Sequence, residues 1–139
     1  MLARIYQACR VALSWDRAVT LAAQENYERA LAELEDAWKR WDDSPPPKYA
    51  LLRAYIQCHR GRHDLAILDI TDAYEALTSK RWYPAHENNY LINYAATFGM
   101  RMAESKGRAG GNLFASELPS FDRKKISGYT RKVFPLESL

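Results

Sequence analysis

The sequence predicts an all-α protein made of stacked helical repeats, with about five helices and an irregular C-terminal tail. The first observation is an internal repeat, because residues 14–41 align with residues 50–77 at a constant spacing of 36 residues. The second is that apolar side chains recur at helical spacing in successive segments between residues 2 and 106. A period of roughly 20–50 residues is typical of folds in which each unit buries its apolar face only against its neighbours. Since such folds mostly bind other proteins, the repeat favours binding over catalysis.

The two copies share identical residues and conservative replacements. The identical pairs are Arg17 and Arg53, Ala18 and Ala54, Ala30 and Ala66, Asp36 and Asp72, and Ala37 and Ala73. The similar pairs are Glu28 and Asp64, Leu31 and Ile67, Glu33 and Asp69, Leu34 and Ile70, and Trp38 and Tyr74. Because each replacement keeps its apolar, aromatic or acidic character, we expect both copies to fold in the same way.

The first two predicted helices lie in the N-terminal stretch and the first copy. Residues 2–13 carry apolar side chains at helical spacing, and two alternatives remain open for the stretch after them. Either a new helix begins near Ser14, or one helix runs through to Gln24. After a turn at Glu25, residues 27–41 are predicted to form an amphipathic helix, apolar on one side and mostly charged on the other.

The second copy comes after a loop with three consecutive prolines, residues 45–47, which cannot continue a helix. The last proline suits the start of the next helix, predicted over residues 48–60. Gly61 supplies a tight turn into a fourth helix over residues 63–78. A fifth long helix is predicted over residues 86–106.

The composition changes at Gly107, where three glycines within a few residues predict a flexible joint. Beyond it, apolar residues lie among basic ones without a sustained period. Residues 126–134 have two open interpretations: a short strand or hairpin around Gly128, or an extended arm. We therefore divide the chain into a helical domain, residues 1–106, and a glycine-hinged basic and aromatic tail, residues 107–139, which we expect to dock on that domain.

Composition and charge narrow the function classes. The chain of 139 residues is 47% hydrophobic and 12% aromatic, enough for the core of one domain. The net charge of +3 arises entirely after residue 106. This excess of positive charge is too small and too local for a nucleic-acid footprint spread over a fold.

Cys9 and Cys58 lie in apolar helical patterns, so we expect reduced thiols in or near the core. Because Arg4 and Arg10 interrupt the first apolar stretch, we expect no signal peptide, no membrane span and a cytoplasmic protein.

Residues 50–66, together with Ala73 further along the second helix, resemble a tetratricopeptide repeat. The small and turn residues that carry the resemblance are Ala54, Gly61, Ala66 and Ala73. His63 stands where the family places an aromatic residue, and Glu25 stands where the first copy should have its turn glycine. The resemblance covers roughly residues 12–106 and implies a short right-handed solenoid of helical hairpins. The alternative is an ordinary helical bundle whose periodicity arose by chance.

The resemblance also implies that a protein partner binds a concave face lined mainly by the first helix of each hairpin. Transferred by register, the partner-binding residues are Trp15, Val19, Leu51, Tyr55, His59, Arg62, Asn89 and Asn93. Some family members hold a C-terminal carboxylate with lysine and asparagine pairs, which the equivalent positions here lack. We therefore expect a dedicated protein partner for a small bacterial or phage adaptor, chaperone or toxin-immunity protein, with homo-oligomerisation left open.

No residue pattern predicts catalysis, a cofactor or a metal ion. Cys58, His59 and His63 are residue types that bind zinc, but Gly61 breaks the helix between the histidines and no fourth ligand lies nearby. We expect these side chains to pack instead. Carboxylate pairs with a spacing of three are expected on solvated helix faces, namely Glu33 with Asp36 and Asp69 with Asp72. The chain is thus expected not to be an enzyme.

The tail has three interpretations. Basic residues interleaved with aromatic ones are able to hold phosphates and stack on bases, which makes nucleic acid the alternative partner. The basic residues are Arg123, Lys124, Lys125, Arg131 and Lys132. We favour a cap in which Phe114, Phe121 and Phe134 cover the fifth helix, since a terminal repeat must hide its apolar face. The third interpretation is an arm that binds a protein partner.

Overall fold

The computed structural model describes residues 2–40, 45–107 and 117–139, and over these ranges the chain is helical without a strand. The α-helices are α1 (Leu2–Ala23), α2 (Tyr27–Lys39), α3 (Pro47–His59), α4 (His63–Ser79), α5 (Ala85–Ser105) and α6 (Gly128–Val133). Two short 3-10 helices, Arg123–Lys125 and Leu136–Ser138, flank α6. The predicted all-α class is confirmed.

α1 is one continuous helix of 22 residues. Of the two alternatives for this stretch, the single long helix is therefore the one that forms. Its neighbour α2 has only 13 residues. Because helices joined by a short turn run antiparallel, the N-terminal part of α1 extends beyond α2, and Leu2 and Ile5 are 84% and 59% exposed. The expectation of a core position is therefore wrong for Cys9, which is exposed, whereas Cys58 is half-buried.

The turns inside the two hairpins have the same backbone structure. Glu25 has a φ of 62° and Gly61 a φ of 77°, both in the left-handed region. In each turn the next residue donates its N–H to the carbonyl five residues earlier, at 2.9 Å in the first turn and 2.8 Å in the second. This arrangement closes the C-terminus of a helix with a left-handed residue. The two turn residues lie 36 positions apart in the chain.

Small residues are buried in both hairpins. Ala18 and Ala54, which are equivalent in the two copies, are fully buried, and so are the equivalent Ala30 and Ala66. Small side chains allow two helices to approach closely. The buried apolar residues form one cluster around α1, α2 and α3 and a second around α3, α4, α5 and the end of the chain.

The C-terminal segment, residues 117–139, is more ordered than the sequence predicts. A strand, hairpin or extended arm over residues 126–134 is wrong, because this stretch contains α6. Ser127 caps the helix by accepting a hydrogen bond from the Thr130 N–H at 3.1 Å. A helix of six residues is too short to produce a recognisable apolar period.

The C-terminal segment packs on α5. Ile126, Thr130 and Phe134 are 3%, 1% and 1% exposed. The Phe134 ring meets the Tyr94 ring edge-on at 5.4 Å. Phe114, the third aromatic residue of the predicted cap, lies outside the described residues.

Three contacts set α1, α3, α5 and the C-terminal segment side by side. The Trp15 ring of α1 stacks on the Tyr49 ring of α3 at 4.7 Å. Lys48 of α3 pairs with Glu87 of α5, with Nζ and Oε1 2.6 Å apart. The C-terminal segment then reaches from α5 back to α1, where the Tyr129 hydroxyl accepts a hydrogen bond from Trp15. The surface formed in this way contains the candidate site.

Candidate protein-binding site

An open cleft of about 420 Å³ lies between α1, α3 and the C-terminal segment. Its apolar lining consists of Val19, Ala22, Ala23, Leu52, Val133 and Pro135. Its polar groups are those of Asp16, Thr20, Tyr55, Tyr129 and Lys132. A concave, mainly apolar surface with a few polar groups is the usual form of a binding site, and this volume is in the range that holds a small ligand or an anchoring side chain. Of the predicted partner-binding residues, Val19 and Tyr55 line this cleft directly.

An aromatic cluster continues the surface from Tyr55. The His59 ring lies 4.5 Å from the Tyr55 ring and stacks on the Tyr27 ring at 4.9 Å with an interplanar angle of 12°. Arg62 lines a neighbouring depression together with Tyr27 and Arg60. The structure therefore brings Tyr55, His59 and Arg62 to one surface. Tyr27 was not predicted to belong to this surface, because its position in the apolar pattern of α2 is typical of a core residue.

Tyr27 and Tyr49 stay uncharged at neutral pH, because the pKa of each is raised. Burial, followed by the neighbouring Tyr55, raises the pKa of Tyr27. Burial, followed by the Asp16 carboxylate, raises the pKa of Tyr49 to about 12. Both side chains thus carry an aromatic ring and a hydroxyl group without phenolate charge.

Trp15 is engaged on two sides within the protein. Its ring stacks on Tyr49, and its indole Nε1 donates a hydrogen bond to the Tyr129 hydroxyl at 2.9 Å. Tyr129 itself lines the cleft. Trp15 therefore positions a wall of the cleft, and its indole N–H is already bonded.

Leu51 requires a correction. Its side chain is 0% exposed and belongs to the core cluster shared by α3, α4 and α5. Transfer by register placed it on the concave face, but its side of α3 faces the other helices. Leu51 stabilises the fold and is not accessible to a partner in this structure.

Asn89 and Asn93 of α5 are half-buried beneath the C-terminal segment. The Asn89 side-chain amide donates to the Ser120 carbonyl at 3.0 Å, and that of Asn93 donates to the Pro119 carbonyl at 2.8 Å. The α5 part of the predicted face is therefore occupied by the chain itself. No sequence signal predicts this, because no pattern links a polar pair on a helix to a segment some 30 residues later.

A bidentate ion pair fixes α3 to α4 behind the candidate surface. Arg53 Nη2 and Nε lie 2.7 and 2.9 Å from the two carboxylate oxygens of Asp69. The Arg53 guanidinium also lies over the Trp38 ring, 4.0 Å from its centroid. The expectation of a solvated face is wrong for Asp69, which is 5% exposed, because the arginine draws it inward. Asp72, its predicted companion, is exposed.

Glu87 joins three elements near the cleft. Its Oε1 accepts from Lys48 Nζ of α3 and from the Thr130 hydroxyl of α6, both at 2.6 Å. Burial raises the pKa of Glu87, but the hydrogen bonds from Lys48 and Thr130 outweigh burial, and the net pKa lies below its ordinary value of 4.5. The carboxylate is thus charged at neutral pH and ties the C-terminal segment to α3 and α5.

The five basic residues of the C-terminal segment are all exposed, namely Arg123, Lys124, Lys125, Arg131 and Lys132. Arg123 forms an ion pair with Glu137. Lys132 lies at the cleft, whose lining also includes the acidic Asp16. These charges point to solvent while the apolar side of α6 packs inward.

Cys58 and His59, whose residue types are able to bind zinc, have other roles in the structure. His59 belongs to the aromatic cluster, and burial raises the pKa of the Cys58 thiol, which keeps it protonated. Within residues 2–40, 45–107 and 117–139, no group of three or more histidine, cysteine, aspartate or glutamate side chains is arranged to hold a metal ion.

In the described part of the chain, the helices are all too short or too polar to cross a bilayer. No model of a known protein family matches the sequence, and neither a curated protein nor a solved structure is significantly similar to it.

Proposed function

We propose that this chain is a protein–protein interaction module that binds a dedicated partner through the cleft and the adjoining aromatic cluster. The single observation that carries the proposal is their continuity: Tyr55 lines the cleft and also packs against His59 of the cluster. Tyrosine and arginine are among the residues that contribute most to interface affinity. The surface offers both types, with Tyr27, Tyr55 and Arg62.

We propose further that the helices form a short right-handed, tetratricopeptide-like solenoid. The matching turns at Glu25 and Gly61 and the fully buried, equivalent alanines support a repeat of 36 residues. In such a fold the first helix of each hairpin lines the concave face, which agrees with the positions of Val19 on α1 and Tyr55 on α3. The function is then binding without catalysis, in the manner of an adaptor, a chaperone or a toxin-immunity protein.

The experiment is a purification of the partner from the cells of origin, followed by reconstitution. Three tagged forms serve as bait: the unmodified chain, Tyr55→Ala with Arg62→Ala, and Glu33→Ala with Asp36→Ala on α2 as the matched control. We expect one protein to be retained by the first and third baits and lost from the second. The dissociation constant of the recombinant pair should then rise at least about fivefold for Tyr55→Ala, the effect of losing 1 kcal/mol. Loss on the control bait instead would move the site to the α2 side and contradict the proposal.

Nucleic acid is the second candidate, favoured by the exposure of all five basic residues in the C-terminal segment. Phosphate contacts release counterions, so affinity for nucleic acid falls steeply as salt rises. Binding through an apolar cleft depends little on salt. The dissociation constant of the partner is therefore measured between about 50 and 300 mM salt. A change of severalfold or less is the size expected without phosphate contacts and supports binding through the cleft.

A further inference from the structure

Residues 117–122 cross α5 as a segment without regular secondary structure, held by main-chain hydrogen bonds and by two side chains. The carbonyl groups of Pro119 and Ser120 accept hydrogen bonds from the two asparagine amides of α5. The Asp122 N–H donates to His86 Nδ1 at 3.0 Å. The Leu118 and Phe121 side chains pack partly buried against the core, and the Phe121 ring meets the Tyr90 ring edge-on at 5.2 Å.

The four α5 residues in these contacts form one stripe. His86, Asn89, Tyr90 and Asn93 are spaced by three, one and three residues, which places them on the same side of a helix. The stripe therefore has the chemistry of a peptide-binding site: it offers amide donors and a ring acceptor to a main chain, and an aromatic surface to one side chain. Because main-chain groups are common to all peptides, another segment is able to make the same hydrogen bonds.

The occupying segment lies nearer the surface than the anchor residues of the C-terminal segment. No residue from 117 to 122 is buried, whereas Ile126, Thr130 and Phe134 are at most 3% exposed. Residues 117–122 are therefore able to leave the stripe while α6 and Phe134 stay in the core. A released segment keeps its covalent tether, and such tethers give effective concentrations of about a millimolar.

We propose that the α5 stripe is a peptide-binding site which residues 117–122 occupy within the chain, and which the partner enters with an extended segment of the same chemistry. The partner segment carries a proline followed two residues later by an aromatic residue, as Pro119 and Phe121 do. This inference rests on the proposed protein-binding function and adds a second contact region beside the cleft. While residues 117–122 occupy the stripe, no other segment is able to bind there. The apparent affinity for an incoming segment is therefore its intrinsic affinity multiplied by the fraction of time that the stripe is free.

The test uses a fluorescently labelled peptide with the sequence of residues 117–122, titrated into full-length protein and followed by anisotropy. Phe121→Ala removes the ring contact from the internal segment but not from the added peptide, so we expect this variant to bind the peptide at least tenfold more tightly than the unmodified chain. Adding Asn89→Ala and Asn93→Ala to that variant should weaken binding at least tenfold again. Equal affinity of the unmodified and Phe121→Ala proteins, or undiminished binding after loss of both asparagines, overturns the proposal.

A second measurement on the unmodified chain covers the case in which Phe121→Ala fails to fold. Millimolar peptide should accelerate hydrogen exchange of the Asp122 amide several-fold, because His86 is then bonded to the added peptide. The Phe134 amide, bonded to the Thr130 carbonyl at 2.8 Å, serves as the control and should exchange at its original rate. Unchanged exchange at Asp122 overturns the proposal. Neither measurement involves Tyr55 or Arg62, so a failure here leaves the cleft and the proposed function to be judged by their own test.

Discussion

Glu25 and Gly61 hold the same left-handed backbone conformation at the same place in successive hairpins, with φ values of 62° and 77°. Glycine adopts this conformation freely, whereas a residue with a Cβ is disfavoured there. The hydrogen bonds that close the two turns are nevertheless alike, at 2.9 and 2.8 Å. The packing of α1 on α2 therefore imposes the turn on a residue that does not favour it.

Glu25→Gly is consequently expected to stabilise the protein. Relief of the left-handed strain should raise the free energy of unfolding by about 1 kcal/mol. Urea unfolding followed by circular dichroism measures the change. Gly61→Ala is the matched control and should destabilise by about the same amount, through the backbone alone, since no heavy atom beyond the adjacent residues lies within 4 Å of the added Cβ. A Glu25→Gly protein less stable than the parent would contradict the equivalence of the two turns.

The Arg53–Asp69 pair should contribute far more to stability than the surface pair Arg40–Asp36. Arg53→Met leaves the Asp69 carboxylate buried without its partner and is expected to cost about 3 kcal/mol, at the low end for a buried pair because the Arg53 side chain is 26% exposed. Arg40→Met, the control, breaks a 3.2 Å pair whose carboxylate, that of Asp36, is 50% exposed and stays hydrated, so the loss of this pair should cost about 1 kcal/mol or less. Equal losses in the two variants, measured by urea unfolding, would mean that Asp69 finds solvent or another partner.

Glu87 should make stability depend on pH in a defined direction. Its pKa in the folded protein is depressed, so its contribution is fully present above its ordinary pKa of 4.5 and is lost as pH falls through the lower, folded value. We expect the unmodified chain to lose stability below about pH 4.5 more steeply than Glu87→Gln, which cannot ionise. Unfolding free energies at several pH values between about 3 and 6 measure the two slopes. Parallel curves would show that the Lys48 and Thr130 contacts do not favour the carboxylate.

Phe134 should be the main anchor of the C-terminal segment. Its side chain is 1% exposed against Tyr94, so Phe134→Ala is expected to cost about 3–5 kcal/mol. Leu68→Ala, which removes a side chain that is 61% exposed on α4, is the control and should change stability by about 0.5 kcal/mol or less. If thermal unfolding gives Phe134→Ala and Leu68→Ala the same melting temperature, the C-terminal segment does not act as a cap on α5.

The helices could be predicted well from the sequence because their signals are local. Apolar spacing, the prolines at residues 45–47 and Gly61 located α2 to α5 to within a few residues, while the end of α1 stayed open between two alternatives. Features that depend on distant contacts were missed: α6 is too short for a period, and Asp69 is buried only because Arg53 lies on another helix. Leu51 was misplaced because register within a repeat does not fix which side of α3 meets α5.

The candidate site likewise combines a part that local sequence predicts with a part that depends on tertiary packing. Tyr55 and His59 lie one turn apart at the end of α3 and Arg62 follows in the turn to α4, so their closeness could be predicted from local sequence. The cleft itself has a wall from the C-terminal segment, including Tyr129 and Lys132, and this docking results from tertiary packing that no local pattern encodes.

The most direct test of the central claim is site-specific photo-crosslinking to the isolated partner. A benzophenone amino acid is placed at Thr20, which is exposed and lines the cleft, and separately at Glu75, which is exposed on α4. We expect a covalent complex from position 20 and none from position 75. Crosslinking from position 75 alone would place the partner on the opposite helices and contradict binding through the cleft.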